Sequence, residues 1–191
     1  MTVDNMELVN DKYTVNIKTD DTPYTVGSAD NVIKYDVVIN PSDVVDKGFY
    51  KTFCVAVQTS DKEYRIALVG SYYSFDGHCA VLDNDVLTVL QNDYILQIDL
   101  TDGSLINSIK IGDLIYYEIY RVPNKYIVYG ELEILGLNDC FEQEWSFGVR
   151  DIITQFEIDG ERIRLRDFEK GYYEIDLQGR LIDSSKNSPA E

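Results

Sequence analysis

The chain has 191 residues, of which 34 are Asp or Glu and 17 are Lys or Arg, so its formal net charge is −17. Apolar residues make up 45% of the sequence, which excludes a disordered acidic tail, because such a tail lacks the apolar surface that offsets chain entropy. A strongly negative surface repels nucleic-acid phosphates and anionic lipids, so we predict neither a nucleic-acid partner nor membrane binding. The charge instead favours a basic protein partner.

The three cysteines, Cys54, Cys79 and Cys140, are widely spaced and form no CxxC pair. This spacing argues against a disulfide framework or a zinc site, so we expect free thiols. The N-terminal residues show no basic stretch followed by an apolar run, and no apolar segment approaches the roughly 18 residues of a spanning helix. We therefore expect a soluble, cytoplasmic protein.

Apolar residues mostly alternate with polar ones in short runs that end at turn residues, which predicts strands along the whole chain. Tyrosine occurs 15 times, and Tyr, Val and Ile favour the pleated surface of a strand. In chain order, the predicted strands are 13–18, 31–39, 53–59, 64–75, 79–83, 86–91, 94–100, 104–111, 114–122, 125–135, 144–149, 152–158, 161–168 and 172–177. About a dozen short strands predict an all-β fold, mainly antiparallel, in a propeller-like or sandwich arrangement.

The predicted domain organisation is simple. We expect residues 1–183 to form a single all-β domain and residues 184–191 to form a frayed tail. A soft boundary is expected near residues 40–50, where the segment 41–49 could form one or two helical turns between Ser42 as N-cap and Gly48 as C-cap.

One internal repeat links residues 94–106, YILQIDLTDGSLI, with residues 172–182, YYEIDLQGRLI. Asp99 and Asp176 then stand 77 residues apart, which is about two repeats of roughly 40–50 residues. Both segments contain an aromatic residue, then Ile-Asp-Leu, a turn glycine and Leu-Ile. This pattern resembles the outer strands of β-propeller blades of the quinoprotein or WD type. The resemblance implies propeller-like sheets. A third copy is expected near 129–137, where the sequence is degenerate. Plain β-hairpins are the alternative, because they can carry the same pattern. No cofactor is carried over from the resemblance.

Candidate catalytic and metal-binding residues are few. A nucleophile–base pair would have to combine His78 with the adjacent Cys79, yet neighbouring strand residues point to opposite faces. Two acidic clusters offer oxygen ligands for calcium but lack the EF-hand spacing, and ordinary turns explain them equally well. Paired carboxylates could serve glycoside hydrolysis, although such pairs also occur on solvated strand faces. These candidates are Asp83, Asn84, Asp85, Asp99 and Asp102 for calcium, and Glu131 with Glu133 or Glu142 with Glu144 for hydrolysis. We predict a non-catalytic protein without a metal or cofactor.

The charge is unevenly distributed, since residues 1–148 contain 24 acidic and 10 basic residues and residues 149–191 contain 10 and 7. In the C-terminal part, arginines at 162, 164 and 166 alternate with Ile163 and Leu165. Alternation places the three guanidinium groups on one face of a strand. We expect this arginine ladder to pair with carboxylates of a neighbouring strand, and an anion-binding patch is the alternative.

A surface for a basic partner is predicted where tyrosines alternate with carboxylates on strand faces and where an acidic loop leads to the single tryptophan. Carboxylates supply steering and charge-assisted hydrogen bonds, and the rings supply apolar area and a cation–π face. The predicted partner-binding residues are Tyr116, Glu118, Tyr120, Tyr129, Glu131, Glu133, Glu142, Glu144 and Trp145.

Three functions compete for this sequence. In size, charge and composition it is similar to the immunity proteins of bacterial toxin systems, which implies an inhibitor that neutralises a basic partner such as a nuclease toxin. The alternative is a propeller-like scaffold for intracellular protein assembly. The third is a carbohydrate-binding or glycoside-hydrolysing module, in which Trp145 and tyrosines would stack on sugar rings.

Overall fold

The structure is a computed structural model that describes residues 5–20, 22, 25, 27–41, 50–72 and 77–186. These residues form 17 β-strands in four sheets and no helix, which confirms the predicted all-β fold. They therefore include no helix that could cross a membrane. The chain divides into two compact units, Met1–Gly112 and Asp113–Glu191.

The first unit begins with a five-stranded sheet. Its strands are β1 (Met6–Val9), β2 (Thr14–Asp20), β3 (Val37–Ile39), β4 (Lys51–Gln58) and β5 (Glu63–Ser71). Their order is β1-β2-β4-β5-β3, and β3 is parallel to β5 while every other pair is antiparallel. Alternation along β2 buries Val15 and Ile17 completely, because successive side chains point to opposite faces of the sheet.

The second sheet of this unit is an antiparallel meander. Its strands are β6 (Ala80–Asp83), β7 (Val86–Gln91), β8 (Tyr94–Asp99) and β9 (Leu105–Lys110). Tight turns join the first three strands, and there Asn84 and Asn92 have φ angles of 51° and 57°, which asparagine tolerates better than most residues. The two sheets share one buried cluster, which includes Ile17 and Val55 of the first sheet and Leu87 of the second.

The second unit consists of two further antiparallel meanders. The third sheet contains β10 (Tyr116–Val122), β11 (Lys125–Gly130), β12 (Glu133–Leu137) and β13 (Gln143–Gly148), and the fourth contains β14 (Ile153–Asp159), β15 (Arg162–Asp167), β16 (Gly171–Asp176) and β17 (Leu181–Lys186). Ile127 and Ile134 of the third sheet share a buried cluster with Ile163 and Ile175 of the fourth.

The internal repeat corresponds to the third and fourth strands of the second and fourth sheets. Asp99 and Asp176 each end the third strand and accept a hydrogen bond from the backbone N–H two residues on, at 2.8 and 2.9 Å. In the intervening third sheet, Asn138 does the same at 2.8 Å. The degenerate copy therefore keeps the hydrogen bond of the turn without the Ile-Asp-Leu sequence. The 77 residues between Asp99 and Asp176 thus correspond to two successive sheets.

Each of these three turns also requires a residue in the left-handed region. Gly103 and Gly179 occupy this position with φ angles of 80° and 75°, whereas the third sheet has Phe141 with a φ of 61°. A bulky residue rarely adopts this conformation. Phe141 is buried and stacks on Tyr126 with ring centroids 4.6 Å apart, a contact that offsets the backbone strain.

Some predicted strands differ from the structure. Residues 125–135, predicted as one strand, form the hairpin of β11 and β12, in which Tyr129 pairs with Ile134. The chain reverses after Gly130, where a Cβ atom would lie 2.8 Å from the carbonyl oxygen of Ile115 and 2.7 Å from the ring of Tyr116. Only a glycine permits this close approach, which alternation of apolar residues does not indicate. Of residues 31–39, only Val37–Ile39 form a strand.

The predicted boundaries are covered only in part. The helical turn expected in 41–49 and most of the boundary near 40–50 lie outside the described residues. Strand β17 extends to Lys186, three residues into the segment predicted as a tail. That residues 1–183 fold as one domain stays a prediction.

Candidate interaction surface

Tyr116 and Glu133, two of the predicted binding residues, form a hydrogen-bonded pair within the third sheet. The Tyr116 hydroxyl donates to Glu133 Oε1 at 2.7 Å, and Tyr116 is only 4% exposed. The prediction that Tyr116 lies on an exposed face is wrong, because a β-bulge between Tyr116 and Glu118 breaks the alternation.

Glu118, Tyr120 and Tyr129 do come together, but the rings of the two tyrosines pack against Phe156 of the second unit. The Tyr120 hydroxyl donates to Glu118 Oε2 at 2.5 Å, and burial together with this carboxylate raises the pKa of Tyr120. Tyr129 stacks on Phe156 of β14 with ring centroids 4.7 Å apart, and its hydroxyl donates to the carbonyl oxygen of Ile153 at 3.1 Å. This part of the predicted surface therefore joins the third and fourth sheets, with all three side chains half-buried.

Glu131 lies in the β11–β12 turn and not on a strand face with Tyr129 and Glu133. Its N–H donates to the carbonyl oxygen of Ile115 at 3.0 Å, and its carbonyl oxygen accepts from the N–H of Ile153 at 2.8 Å. The backbone of Glu131 thus ties the turn to the segments that enter β10 and β14.

The predicted acidic loop carries exposed carboxylates that have partners within the chain. Glu144 accepts from Lys125 Nζ at 2.9 Å, and Glu142 accepts from Asn138 Nδ2 at 2.9 Å. In the Lys125–Glu144 ion pair the side chains are 15% and 44% exposed, and an ion pair at the surface contributes little to stability. The two carboxylates remain accessible, since both residues are exposed.

Trp145 connects the two sheets of the second unit. Its Nε1–H donates to the carbonyl oxygen of Leu177 at 3.1 Å. A Cβ atom at Gly136 would lie 2.1 Å from the indole, and one at Gly179 would lie 2.5 Å from it. Two glycines therefore make room for the ring, which explains the half-buried position of Trp145 without a partner protein.

Two of the three arginines of the ladder pair with carboxylates as predicted. Arg162 donates to Glu174 of the adjacent strand β16, and Arg164 donates to Asp159 Oδ2 at 2.9 Å. Hydrogen bonds from Tyr172 and Arg162 lower the pKa of Glu174. The expectation of carboxylate partners is thus confirmed for these two arginines, while Arg166 lies over the Tyr172 ring, 5.2 Å from its centroid.

The catalytic and calcium candidates have structural partners. Cys79 is buried with its Sγ 3.8 Å from Met6 Sδ. Asp85 is paired with Lys12 at 2.9 Å, and Asp102 accepts from the N–H of Ser104 at 2.8 Å. Within the described ranges, no group of three or more His, Cys, Asp or Glu residues could hold a metal ion.

Phe168, which is not among the predicted binding residues, is presented to solvent by a hydrogen-bonded turn. Phe168 is 72% exposed, at the start of the turn between β15 and β16. The buried carboxylate of Asp167 holds this turn, because it accepts from the N–H of Gly171 at 2.6 Å and from the hydroxyl of Tyr173 at 3.1 Å. A Cβ atom at Gly171 would lie 2.6 Å from Asp167 Oδ2, so the turn also requires glycine there.

Ile152 lies beside this turn and is 44% exposed. The N–H of Phe168 donates to the carbonyl oxygen of Ile152 at 2.8 Å, and Asp151 Oδ1 accepts from the N–H of Ile152 at 2.7 Å. We name Asp151, Ile152, Phe168 and Glu169 the Phe168 surface. In the sequence, the Lys170-Gly171 turn signal next to an aromatic residue could have indicated it, but alternation placed Phe168 at the end of a strand.

A buried carboxylate in the first unit, that of Asp20, binds both Thr22 and Tyr35. Asp20 Oδ1 accepts from the N–H of Thr22 at 3.0 Å, and Asp20 Oδ2 accepts from the Tyr35 hydroxyl at 2.8 Å. Burial would raise the pKa of Asp20, but these hydrogen bonds outweigh it and lower the pKa. A shallow cavity of about 430 Å³ lies between Gly27 and Tyr35.

Solved structures similar to this chain include β-propeller proteins. The chain is 11% identical to BamB from Moraxella catarrhalis, with a TM-score of 0.50, covering 100% of this chain and 63% of that one. It is 14% identical to the Cps50 (Swd1) β-propeller domain of Myceliophteria thermophila, with a TM-score of 0.53 and coverage of 76% and 57%. For BBS1N in complex with ARL6DN, the identity is 14%, the TM-score 0.52 and the coverage 73% and 49%.

At these identities the similarity shows the fold alone. It confirms the resemblance of the sheets to propeller blades. The resemblance to immunity proteins gains no support from these structures. The chain spans less than two-thirds of the length of each of them. No protein-family model matches the sequence, and no curated protein does either.

Proposed function

We propose that this chain is a propeller-type scaffold that binds a protein partner at the Phe168 surface. The observation that carries the proposal is the 72% exposure of Phe168 on a turn that a buried aspartate holds in place. Aromatic side chains are frequent hot spots of protein interfaces, and a rigid presentation avoids the entropy of ordering a loop on binding. Among the similar structures, BBS1N was solved in complex with ARL6DN, a precedent for partner binding by a chain of related fold.

The partner we propose is a protein with an apolar residue flanked by Lys or Arg. Asp151 and Glu169 adjoin Ile152 and Phe168 in sequence, with Arg150 and Lys170 as the next residues outwards, and the net charge of −17 attracts a basic partner from a distance. An inhibitor of a basic toxin would satisfy the same charge argument. We favour the scaffold because the fold supports it directly, whereas the charge alone does not separate the two functions.

The experiment compares the wild-type chain with two variants as baits in a lysate of the cells that make it. Phe168→Ser removes the proposed anchor, and Val32→Ser removes an equally accessible apolar residue of the first unit, where Val32 is 80% exposed. Loss of a hot spot costs about 2 kcal/mol, or about thirtyfold in affinity.

We expect wild type and Val32→Ser to capture a partner with a basic segment that Phe168→Ser does not capture. Moderate salt should weaken the binding of this partner. A set of captured proteins that is the same for all three baits, or a partner without a basic segment, would contradict the proposal.

A further inference from the structure

β9 is an edge strand whose first five residues carry no charge; its one charged residue, Lys110, is the last of the strand and pairs with Asp93 at 3.5 Å. Among the described strands it pairs with β8 alone. Leu105 and Ile106 are 40% and 54% exposed, and residues 105–109 contain no charge in a chain in which 27% of residues are charged. Proteins normally protect an edge with charged side chains, because its free backbone groups can pair with another chain.

The other described edge strands are protected in this way or are very short. β3 has three residues. The remaining edges, β1, β6, β10, β13, β14 and β17, each contain at least one carboxylate: Glu7, Asp83, Glu118, Glu144, Glu157 and Asp183. β17 repeats the exposed Leu-Ile pair of β9 but follows it with Asp183, so β9 has the longest uncharged edge among them.

The backbone of β9 offers a regular pattern of outward groups. The N–H of Ile111 donates to the carbonyl oxygen of Asp93 at 2.9 Å. Because backbone groups alternate along an antiparallel pair, the N–H and C=O groups of Asn107 and Ile109 face β8, and those of Ser108 face away from it. The N–H of Ser108 accordingly donates to its neighbour's side chain, Asn107 Oδ1, at 3.0 Å. The register shift opposite Gln97 affects the start of β9 and leaves Asn107–Lys110 regular.

We propose that an extended segment of a protein partner adds to the second sheet along β9, in the mode known as β-augmentation. A carbonyl oxygen of the segment would replace Asn107 Oδ1 on the N–H of Ser108, and an apolar side chain would contact Leu105 and Ile106. The segment is basic, because the net charge of −17 attracts cations and makes pairing with a second copy of the chain repulsive. This surface does not depend on the Phe168 surface.

The first test uses the unaltered chain and a synthetic peptide in which valine and lysine alternate. A second peptide with the same sequence is N-methylated at every residue, so it keeps the charge and the side chains but cannot donate to a strand. We expect the first peptide to shift the amide NMR signals of residues 105–110 and to bind at least about tenfold more tightly than the second. Equal affinities, or shifts confined to other strands, would overturn the proposal.

The second test changes the strand itself. Proline at 108 removes an N–H that faces away from β8, a position where an edge strand tolerates it. Ser108→Pro should lower the affinity of the first peptide by about tenfold, whereas Ser108→Ala, which keeps the N–H, should bind as wild type does. Equal binding of the peptide by Ser108→Pro and wild type contradicts the proposal. A dimer that wild type and Ser108→Ala form but Ser108→Pro does not would also contradict it, because a second copy of the chain would then occupy β9. The peptide comparison stands on its own if Ser108→Pro does not fold.

Discussion

The backbone N–H of Phe168 donates to the carbonyl oxygen of Ile152 at 2.8 Å, so two exposed apolar side chains are held on neighbouring connections of the fourth sheet. One connection enters β14 and the other leaves β15. Asp167 fixes the second by bonding the N–H of Gly171, and Asp151 caps the first. The backbone that carries the anchor is therefore hydrogen-bonded within the chain itself, which reduces the backbone entropy that binding would cost.

The roles of Asp167 and Phe168 should separate in a stability measurement. Asp167→Ala leaves the N–H of Gly171 and the hydroxyl of Tyr173 without their acceptor, so we expect the free energy of unfolding to fall by about 2–3 kcal/mol. Phe168→Ser should change it by no more than about 0.5 kcal/mol, because the ring is mostly in solvent. Urea unfolding followed by Trp145 fluorescence measures both, and an equally large loss for Phe168→Ser would mean that its ring is structural.

Gly179 should be far less replaceable than Gly160, although both have positive φ angles of 75° and 61°. A Cβ atom at Gly179 would lie 2.5 Å from the Trp145 indole, whereas nothing lies within 4 Å of one at Gly160. We expect Gly179→Ala to cost about 2–4 kcal/mol and Gly160→Ala about 1 kcal/mol. The same urea experiment compares them, and similar losses would show that the indole moves aside readily.

Replacement of Phe141 should reverse the usual order of glycine and alanine. Both Phe141→Ala and Phe141→Gly lose the stacking on Tyr126, which costs about 3 kcal/mol or more. Glycine relieves the backbone at a φ of 61°, so Phe141→Gly should be more stable than Phe141→Ala by about 1 kcal/mol. Thermal or urea unfolding would detect the difference, and greater stability of Phe141→Ala would refute the left-handed conformation.

The stability of the first unit should depend on pH through Asp20. Its pKa is lowered in the folded state, so its contribution is present above the unfolded pKa of about 4 and is lost as the pH falls through the folded value. Asp20→Asn should be less stable than wild type by about 2 kcal/mol at neutral pH. The difference between the two proteins should shrink as the pH falls from about 4 towards the lower, folded pKa of Asp20. Urea unfolding across this range is the measurement, with the exposed Asp30→Asn as control, and a difference that does not vary with pH would contradict the assignment.

The repeat was the most informative part of the sequence. The 77-residue separation of Asp99 and Asp176 corresponds to two sheets, because both residues close the same turn in their sheets. The third copy is hidden since Asn138 and Phe141 perform the turn functions of Asp and Gly. Turn chemistry is thus kept where sequence similarity is lost.

The predicted binding residues illustrate what alternation alone does not reveal. It gives the face on which Tyr116 or Tyr129 lies, but a β-bulge and the close approach at Gly130 depend on contacts with distant segments. Alternation also does not tell which face another sheet covers, and Tyr129 packs on Phe156 of the fourth sheet. Alternation also extends the predicted strand 161–168 through Phe168, whereas the strand ends at Asp167, whose carboxylate holds the following turn.

Site-specific cross-linking tests partner binding at the Phe168 surface most directly. A photoreactive benzoylphenylalanine replaces Phe168 in one protein and Tyr72 in a control, where the natural side chain is 51% exposed in the first unit. Irradiation in the native lysate should cross-link the protein at position 168 to a partner, through a peptide rich in Lys or Arg, and should give no such product at position 72. Identical products from both positions, or a captured partner that never cross-links at 168, would show that the Phe168 surface is not the binding site.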